Sequence, residues 1–262
     1  MKCIGFALFL AGIFPVFSPA QAQTIDTIRV NDHRLQLGRL ATGTHRYLVY
    51  NETAAGERTN MWIWERTVST GFRPGAPIKA IMKPYSYIVT QHWYGSDAQH
   101  GERKVTSVVR HEDFAPLYHF SELTASGKTQ TEAFDFRADS VVTPDTVATT
   151  APRTAQALAE PTYNWELDLE LFPLLPLKAG KTMAINFYHP GAPLAPAYYN
   201  YTVQGSDNLL LYNGRKASCW VLAIDYGKGN YAIWWIDKKK HLVWRMKEYF
   251  NGQYRFKVLM TS

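Results

Sequence analysis

The sequence predicts a mainly β protein: a meandering antiparallel sheet of about 12–14 strands with one or two short helices. Three observations carry this. From Cys219 onward the run CWVLAIDYGKGNYAIWWIDKKKHLVWRMKEYFNGQYRFKVLM is cut into strands by Gly227-Lys228-Gly229, Asp237-Lys238-Lys239-Lys240 and Asn251-Gly252. The same rhythm of aromatic-rich runs and turn residues recurs in the first half of the chain. Apolar residues make up 46% and aromatics 14% of the 262 residues, enough to bury a core and too much for a disordered chain.

The chain opens on a targeting pattern. Lys2 precedes an apolar run, Ile4 to Phe17, and Ala20-Gln21-Ala22 places small residues where signal peptidase cuts. The expectation is a signal peptide over residues 1–22 and an exported, periplasmic or secreted, protein. The run is too short to anchor the chain in a membrane. Cys3 leaves with the signal, and the remaining Cys219 has no partner for a disulfide. Stability must then come from an apolar core, which about 240 residues can supply.

Residues 24–262 read as one β domain. Asp26 to Val30 forms a first strand closed by Asn31-Asp32-His33. His45 to Asn51 and Asn60 to Thr67 form a hairpin around Ala55-Gly56-Glu57. Gly71 to Pro77 is a Gly- and Pro-rich loop. Tyr85 to Tyr94 turns at Gly95-Ser96-Asp97 and returns as Arg103 to Arg110. Tyr118 to Thr124 and Lys128 to Arg137 pair across Ser126-Gly127. The Pro/Thr/Ala-rich stretch 143–162 reads as an irregular loop. Tyr163 to Phe172 is the best helix candidate, with Trp165, Leu169 and Phe172 at helical spacing and Pro173 and Pro176 stopping it. Thr182 to Tyr188 and Tyr198 to Gln204 resume the strands across a Pro-rich loop.

Side-chain alternation predicts the register of the C-terminal meander. A three-residue loop Gly227 to Gly229 pairs Val221 with Trp235 and Ala223 with Ile233. A four-residue loop, Lys238 to His241, pairs Trp235 with Trp244 and Ile233 with Met246. At Asn251-Gly252 a two-residue loop sets Met246 against Lys257, mixing apolar and charged. A three-residue loop, Phe250 to Gly252, pairs Met246 with Phe256 and Trp244 with Val258, and is preferred. Val221, Ala223, Ile233, Trp235, Trp244, Met246, Phe256 and Val258 then form a core face. The opposite face runs from Trp220, Leu222, Ile224 and Trp234 to a basic face of Arg245, Lys247, Arg255 and Lys257, with Trp234 and Arg245 as a cation–π pair.

Ala232 to Met246, with Trp235-Ile236-Asp237-Lys238 and Leu242-Val243, resembles the strand–acidic turn–strand signature of lipoprotein-localisation-factor-like proteins. More closely it resembles a family of exported bacterial proteins with a domain of unknown function and that fold. Leu174 to Lys181 is similar to that family's Pro-Leu-Lys-x-Gly element, and Lys128 to Val141 to its hairpin. The resemblance spans about Thr44 to Leu259. It implies a single strongly curved antiparallel sheet, a half-barrel or open barrel, with a helix and loops lidding a concave face that relatives use for acyl chains. It carries no functional residue over.

No catalytic constellation stands out. His111-Glu112-Asp113 and His119 lack the two-His helical spacing of a metalloprotease. Ser96 and Ser206 sit in Gly-Ser-Asp turns, with no nucleophile elbow. Cys219 reads as a buried strand residue rather than a nucleophile served by His241. Asp168 and Glu170 read as helix surface. No cofactor, metal or nucleic-acid partner is expected, and the net charge of +6 is a mild basic excess suited to anionic lipid or glycan.

The expectation is therefore a non-enzymatic envelope protein that binds a lipid or other hydrophobic ligand, lined from Trp62, Trp64, Trp93, Phe187, Trp220 and Trp234. The alternative is a structural or interaction module, with an envelope protein as partner, acting through sheet edges or the basic face. A hydrolase is the third reading.

Overall fold

Among the described residues, sixteen strands form one mixed, mostly antiparallel sheet that does not close on itself. A computed structural model describes residues 24–71, 86–95 and 101–261 of the chain. The expected signal peptide, the Gly71–Pro77 loop beyond its first residue, and the turn residues Ser96 and Asp97 lie outside the described residues.

The strands are β1 (Ile25–Ile28), β2 (Gly43–Glu52), β3 (Arg58–Gly71), β4 (Ser86–Gly95), β5 (Glu102–Arg110), β6 (Pro116–Ala125), β7 (Lys128–Phe136) and β8 (Ser140–Val142). They continue as β9 (Ala155–Ala157), β10 (Tyr163–Asn164), β11 (Thr182–Tyr188), β12 (Ala197–Leu210), β13 (Lys216–Gly227), β14 (Asn230–Asp237), β15 (Val243–Phe250) and β16 (Gln253–Thr261). In the sheet, the order runs β1-β11-β12-β13-β14-β15-β16-β2-β3-β4-β5-β6-β7-β8-β9, with β10 beside β11. The C-terminal strand thus joins the two meanders by pairing β2 antiparallel. The count exceeds the predicted 12–14 because β8, β9 and β10 are only two or three residues long. Such lengths leave no alternation to read. The first strand pairs β11 in parallel, which makes the sheet mixed. The stretch 143–162 is held in part by β9 and by paired hydrogen bonds between Thr131 and Thr150.

The predicted helix is broken. β10 leads into a 3-10 turn (Trp165–Leu167), one α-helical turn, α1 (Asp168–Leu171), and a second 3-10 turn (Phe172–Leu174). Asn164 caps its start by accepting from the Glu166 amide at 2.9 Å. This plug is wrapped by the sheet. Phe172 packs edge-on against Trp234 of β14 and Phe187 of β11, while Arg66 of β3, Arg103 of β5 and Lys257 of β16 reach its carboxylates. Strands far apart in the order meet one short segment only if the sheet is strongly curved.

Two register expectations fail and one holds. β13 pairs β14 with Val221 opposite Trp235 and Ala223 opposite Ile233, as predicted. β15 pairs β16 through the two-residue Asn251-Gly252 turn, with Met246 opposite Lys257. Both turn residues have positive φ, 49° and 86°, the geometry that matches the twist of a hairpin. A bulge between Trp235 and Ile236 also shifts β15, so Trp234 faces Met246 and Trp235 faces Arg245. On β13, β14 and β16 the two faces are exchanged, whereas Met246 of β15 points inward as predicted. The inner row runs Val203, Leu222, Trp234, Met246, Lys257, Val49, Trp62. Val221, Ile233, Phe256 and Val258, predicted as core, are half-buried on the other face. Arg245 lies over Trp235 at 4.2 Å, not over Trp234.

Candidate functional site

The four residues predicted as one basic face are divided by this register. Arg245 and Lys247 face outward, opposite Val258 and Phe256, and Lys247 lies over Tyr254. Arg255 and Lys257 face inward. Lys257 is 8% exposed, a charge inside an otherwise apolar row.

That charge belongs to a set of ion pairs made with the plug. Asn164, Glu166, Asp168 and Glu170 alternate with apolar residues in sequence. On a helical turn, residues two apart point to nearly opposite sides while residues four apart share one, so Asp168 diverges from Glu166 and Glu170, and Arg66 reaches both of the latter. Lys257 Nζ donates to Asp168 Oδ2 at 3.4 Å. The Arg66 guanidinium grips Glu170 with two nitrogens, Nε to Oε1 at 2.8 Å, and donates to the Glu166 carbonyl at 3.0 Å. Arg103 spans both oxygens of Glu166 at 3.2 and 3.3 Å. Asn164 meets His119 Nδ1 at 3.1 Å. Asp168 and Glu170, predicted as helix surface, are buried.

Burial pulls Lys257 below the usual lysine range, against the opposing pull of Asp168. Burial works against the Glu166 carboxylate, but Arg103 and its neighbours prevail and hold it at about 2. Trp64 tempers the two buried cations: Arg66 and Lys257 lie 4.3 and 4.7 Å from its ring.

Beside the plug the sheet leaves an open cleft of about 580 Å³. Trp62, Trp64, Trp93 and Trp165 wall it with Val49 and Leu123. Trp64 and Trp93 stack at 4.2 Å, and both indole N–H groups donate to Gln91 Oε1. Asn51, Asn60, Arg103, Glu166, Asp168, Arg255 and Lys257 supply its polar lining. Arg103 and Lys257 each hold an acid. Arg255 is exposed and has no carboxylate within ion-pair distance among the described residues.

Of the six aromatic residues predicted as lining, Trp62, Trp64 and Trp93 stand at the cleft. Phe187 and Trp234 are instead fully buried in the core, and Trp220 lies away from the cleft under the Lys238 ammonium at 3.9 Å. The sequence singles out neither Arg66 nor Glu166, and it marks Trp165 only as a helix-face residue and Asp168 and Glu170 only as helix surface. The alternation Trp62-Trp64-Arg66-Val68 carried a signal for one of them, because it puts an arginine on the inward face.

Elsewhere, Cys219 is fully buried opposite Asp237, and burial pushes its thiol up to about 12. His119 is buried, with Nδ1 in reach of Ser107 Oγ at 2.9 Å, and burial lowers it to about 4. His111 stacks on Tyr87 in the turn after β5, away from His119. No helix among the described residues is long and apolar enough to cross a membrane.

The family model for a protein of unknown function, DUF3108, matches residues 46–259. Solved structures to which the chain shows similarity include a β-barrel-like protein of domain of unknown function DUF1849 from Brucella abortus. It is 9% identical, with 84% of this chain and 97% of that chain covered and a TM-score of 0.47. Another is a DUF1329 family protein from Desulfovibrio piger, 11% identical, with 86% and 87% covered and a TM-score of 0.22. No curated protein matches the chain.

Proposed function

We propose, for a chain that belongs to the DUF3108 family of proteins of unknown function, that the tryptophan-walled cleft binds an amphiphile. Its apolar body lies against Trp62, Trp93 and Leu123, and its anionic head meets Arg255. The observation that carries this reading is the pairing of an indole wall with a cation, Arg255, that has no ion-pair partner among the described residues. A cleft of about 580 Å³ is in the range of small-molecule sites. Water-exposed indole faces gain by apolar cover. The cleft's other cations are already committed to the plug, so Arg255 is the group with charge to offer.

The cleft's acids favour binding over catalysis. Glu166 is clamped by Arg103 and Asp168 by Lys257, so neither is a free base. The N-terminal apolar run and the Ala20-Gln21-Ala22 site support export to the cell envelope as part of the same reading. So does the resemblance to lipoprotein-localisation-factor-like proteins, whose concave faces take acyl chains. Intact-mass analysis of the protein recovered from a cell-envelope fraction tests the export arm: a chain beginning at Gln23 supports it, and retention of Met1 sinks it.

The binding arm is tested by titrating an anionic single-chain amphiphile, such as oleate, while following indole fluorescence and native mass. Saturable binding is expected. Arg255→Ala should weaken oleate by about tenfold, the loss of one charge-assisted contact, and leave a neutral chain such as dodecyl maltoside unchanged. Absence of saturable binding by both amphiphiles would overturn the reading.

A further inference from the structure

We infer that the β12–β13 and β14–β15 turns form a docking surface for a bilayer rich in anionic phospholipid. The two turns lie side by side. Lys238 donates its amide to the Ser218 carbonyl at 3.0 Å, and residues of both line one shallow depression of about 500 Å³. Arg215, Lys216, Lys238, Lys239 and Lys240 surround it. The one carboxylate there, Asp237, is buried and turned inward. Its Oδ1 accepts from the amides of Lys239 and Lys240 at 2.7 Å, and its Oδ2 from the Trp244 indole at 2.7 Å. Five cations against one engaged acid leave a local positive field.

Beside these cations stand two of the most exposed large hydrophobic residues of the described chain. Leu210 is 65% exposed and Tyr212 is 73% exposed. Leu210 pairs with Lys216 in register, so an apolar and a basic side chain stand together at the hairpin tip. A leucine and a tyrosine amid lysines suit the headgroup boundary of a bilayer, where the ring and aliphatic chain embed and the ammonium groups meet phosphate. A protein partner fits less well, because lysine is depleted in protein interfaces while arginine and tryptophan are enriched.

The test is sedimentation of the full chain with vesicles of phosphatidylcholine, alone or mixed with phosphatidylglycerol. Phosphatidylglycerol should strengthen binding at least about tenfold, with the gain lost as salt is raised. Each basic residue near an anionic surface contributes about fivefold, so Arg215→Gln/Lys216→Gln/Lys239→Gln should weaken binding by about 100-fold. These side chains are exposed, and an unchanged circular-dichroism melt verifies folding. Leu210→Ser/Tyr212→Ser should weaken the residual binding that survives high salt.

Equal binding to both vesicle types overturns the inference. So does an unaltered affinity of the triple variant, which would place binding on the apolar run before residue 18 that both proteins share. Capture of soluble polyphosphate with no vesicle binding would also overturn it, by identifying a dissolved polyanion instead.

Discussion

Lys257 stands in the inner row between Met246 and Val49 and faces Asp168 across the interior. Removing one member of a buried ion pair strands the other, at a cost of about 3–5 kcal/mol, whereas replacing both with apolar residues is often neutral. Lys257→Met should therefore destabilise the protein by about that amount in urea unfolding, and Lys257→Met/Asp168→Leu should recover most of it. A single variant as stable as the parent would show that the pair contributes nothing to the fold. His119 makes a second residue-level prediction. Burial lets folded His119 protonate only at about 4, whereas an unfolded histidine does so near 6.5. Below pH 6.5 the unfolded chain takes up a proton that the folded chain refuses. Stability from this residue is full above pH 6.5 and falls as the pH drops toward 4, by roughly 3 kcal/mol in total. His119→Gln should flatten that part of the stability–pH profile; an unchanged slope would remove His119 as its source.

At the scale of elements, the Asn251-Gly252 turn and the plug act together. The two-residue turn fixes the parity that points Lys257 inward, and the plug supplies the acid it meets. Gly252 has a φ of 86°, so Gly252→Ala should cost about 1–2 kcal/mol, read from the urea midpoint. No loss would mean that the hairpin tip adjusts freely. The sequence shows why this hairpin misleads. The correct register sets Met246 against Lys257, and alternation treats that pairing as an error. It ceases to be one when an acid arrives from a segment 89 residues away. The bulge at Trp235 is hidden for a related reason, since it has no glycine to mark it. The β13–β14 pairing was legible because glycines bracket its turn. The plug's own pattern, Asn-Trp-Glu-Leu-Asp-Leu-Glu-Leu, states that its acids diverge but not where they end. Their partners lie on strands whose positions depend on the curvature of the whole sheet.

For the molecule as a whole, the mainly β class and most strands were readable, because aromatic runs and turn residues are local signals. Three of six candidate lining residues stand at the cleft, since tryptophan composition marks inward aromatics without separating a wall from a core. One large buried cluster extends from Ile28 to Leu259 and includes the plug. Cys219 is the one cysteine among the described residues, and its thiol is fully buried. Thermal unfolding should therefore give the same midpoint with and without a thiol reductant; a drop on reduction would reveal a cross-link involving residues outside the described part. The alternation of turns along the meander has a consequence for how the molecule stands in its surroundings. The cleft, on β2–β6 and β16, lies toward the turns at Ala55, Gly127 and Gly252, and the basic turns at Asn213 and Lys239 are at the opposite ends of β12–β15 in the same sheet. A molecule resting on its basic end holds its open end outward, like a cup set on its base. What enters the cleft then comes from the aqueous side, not from the surface beneath.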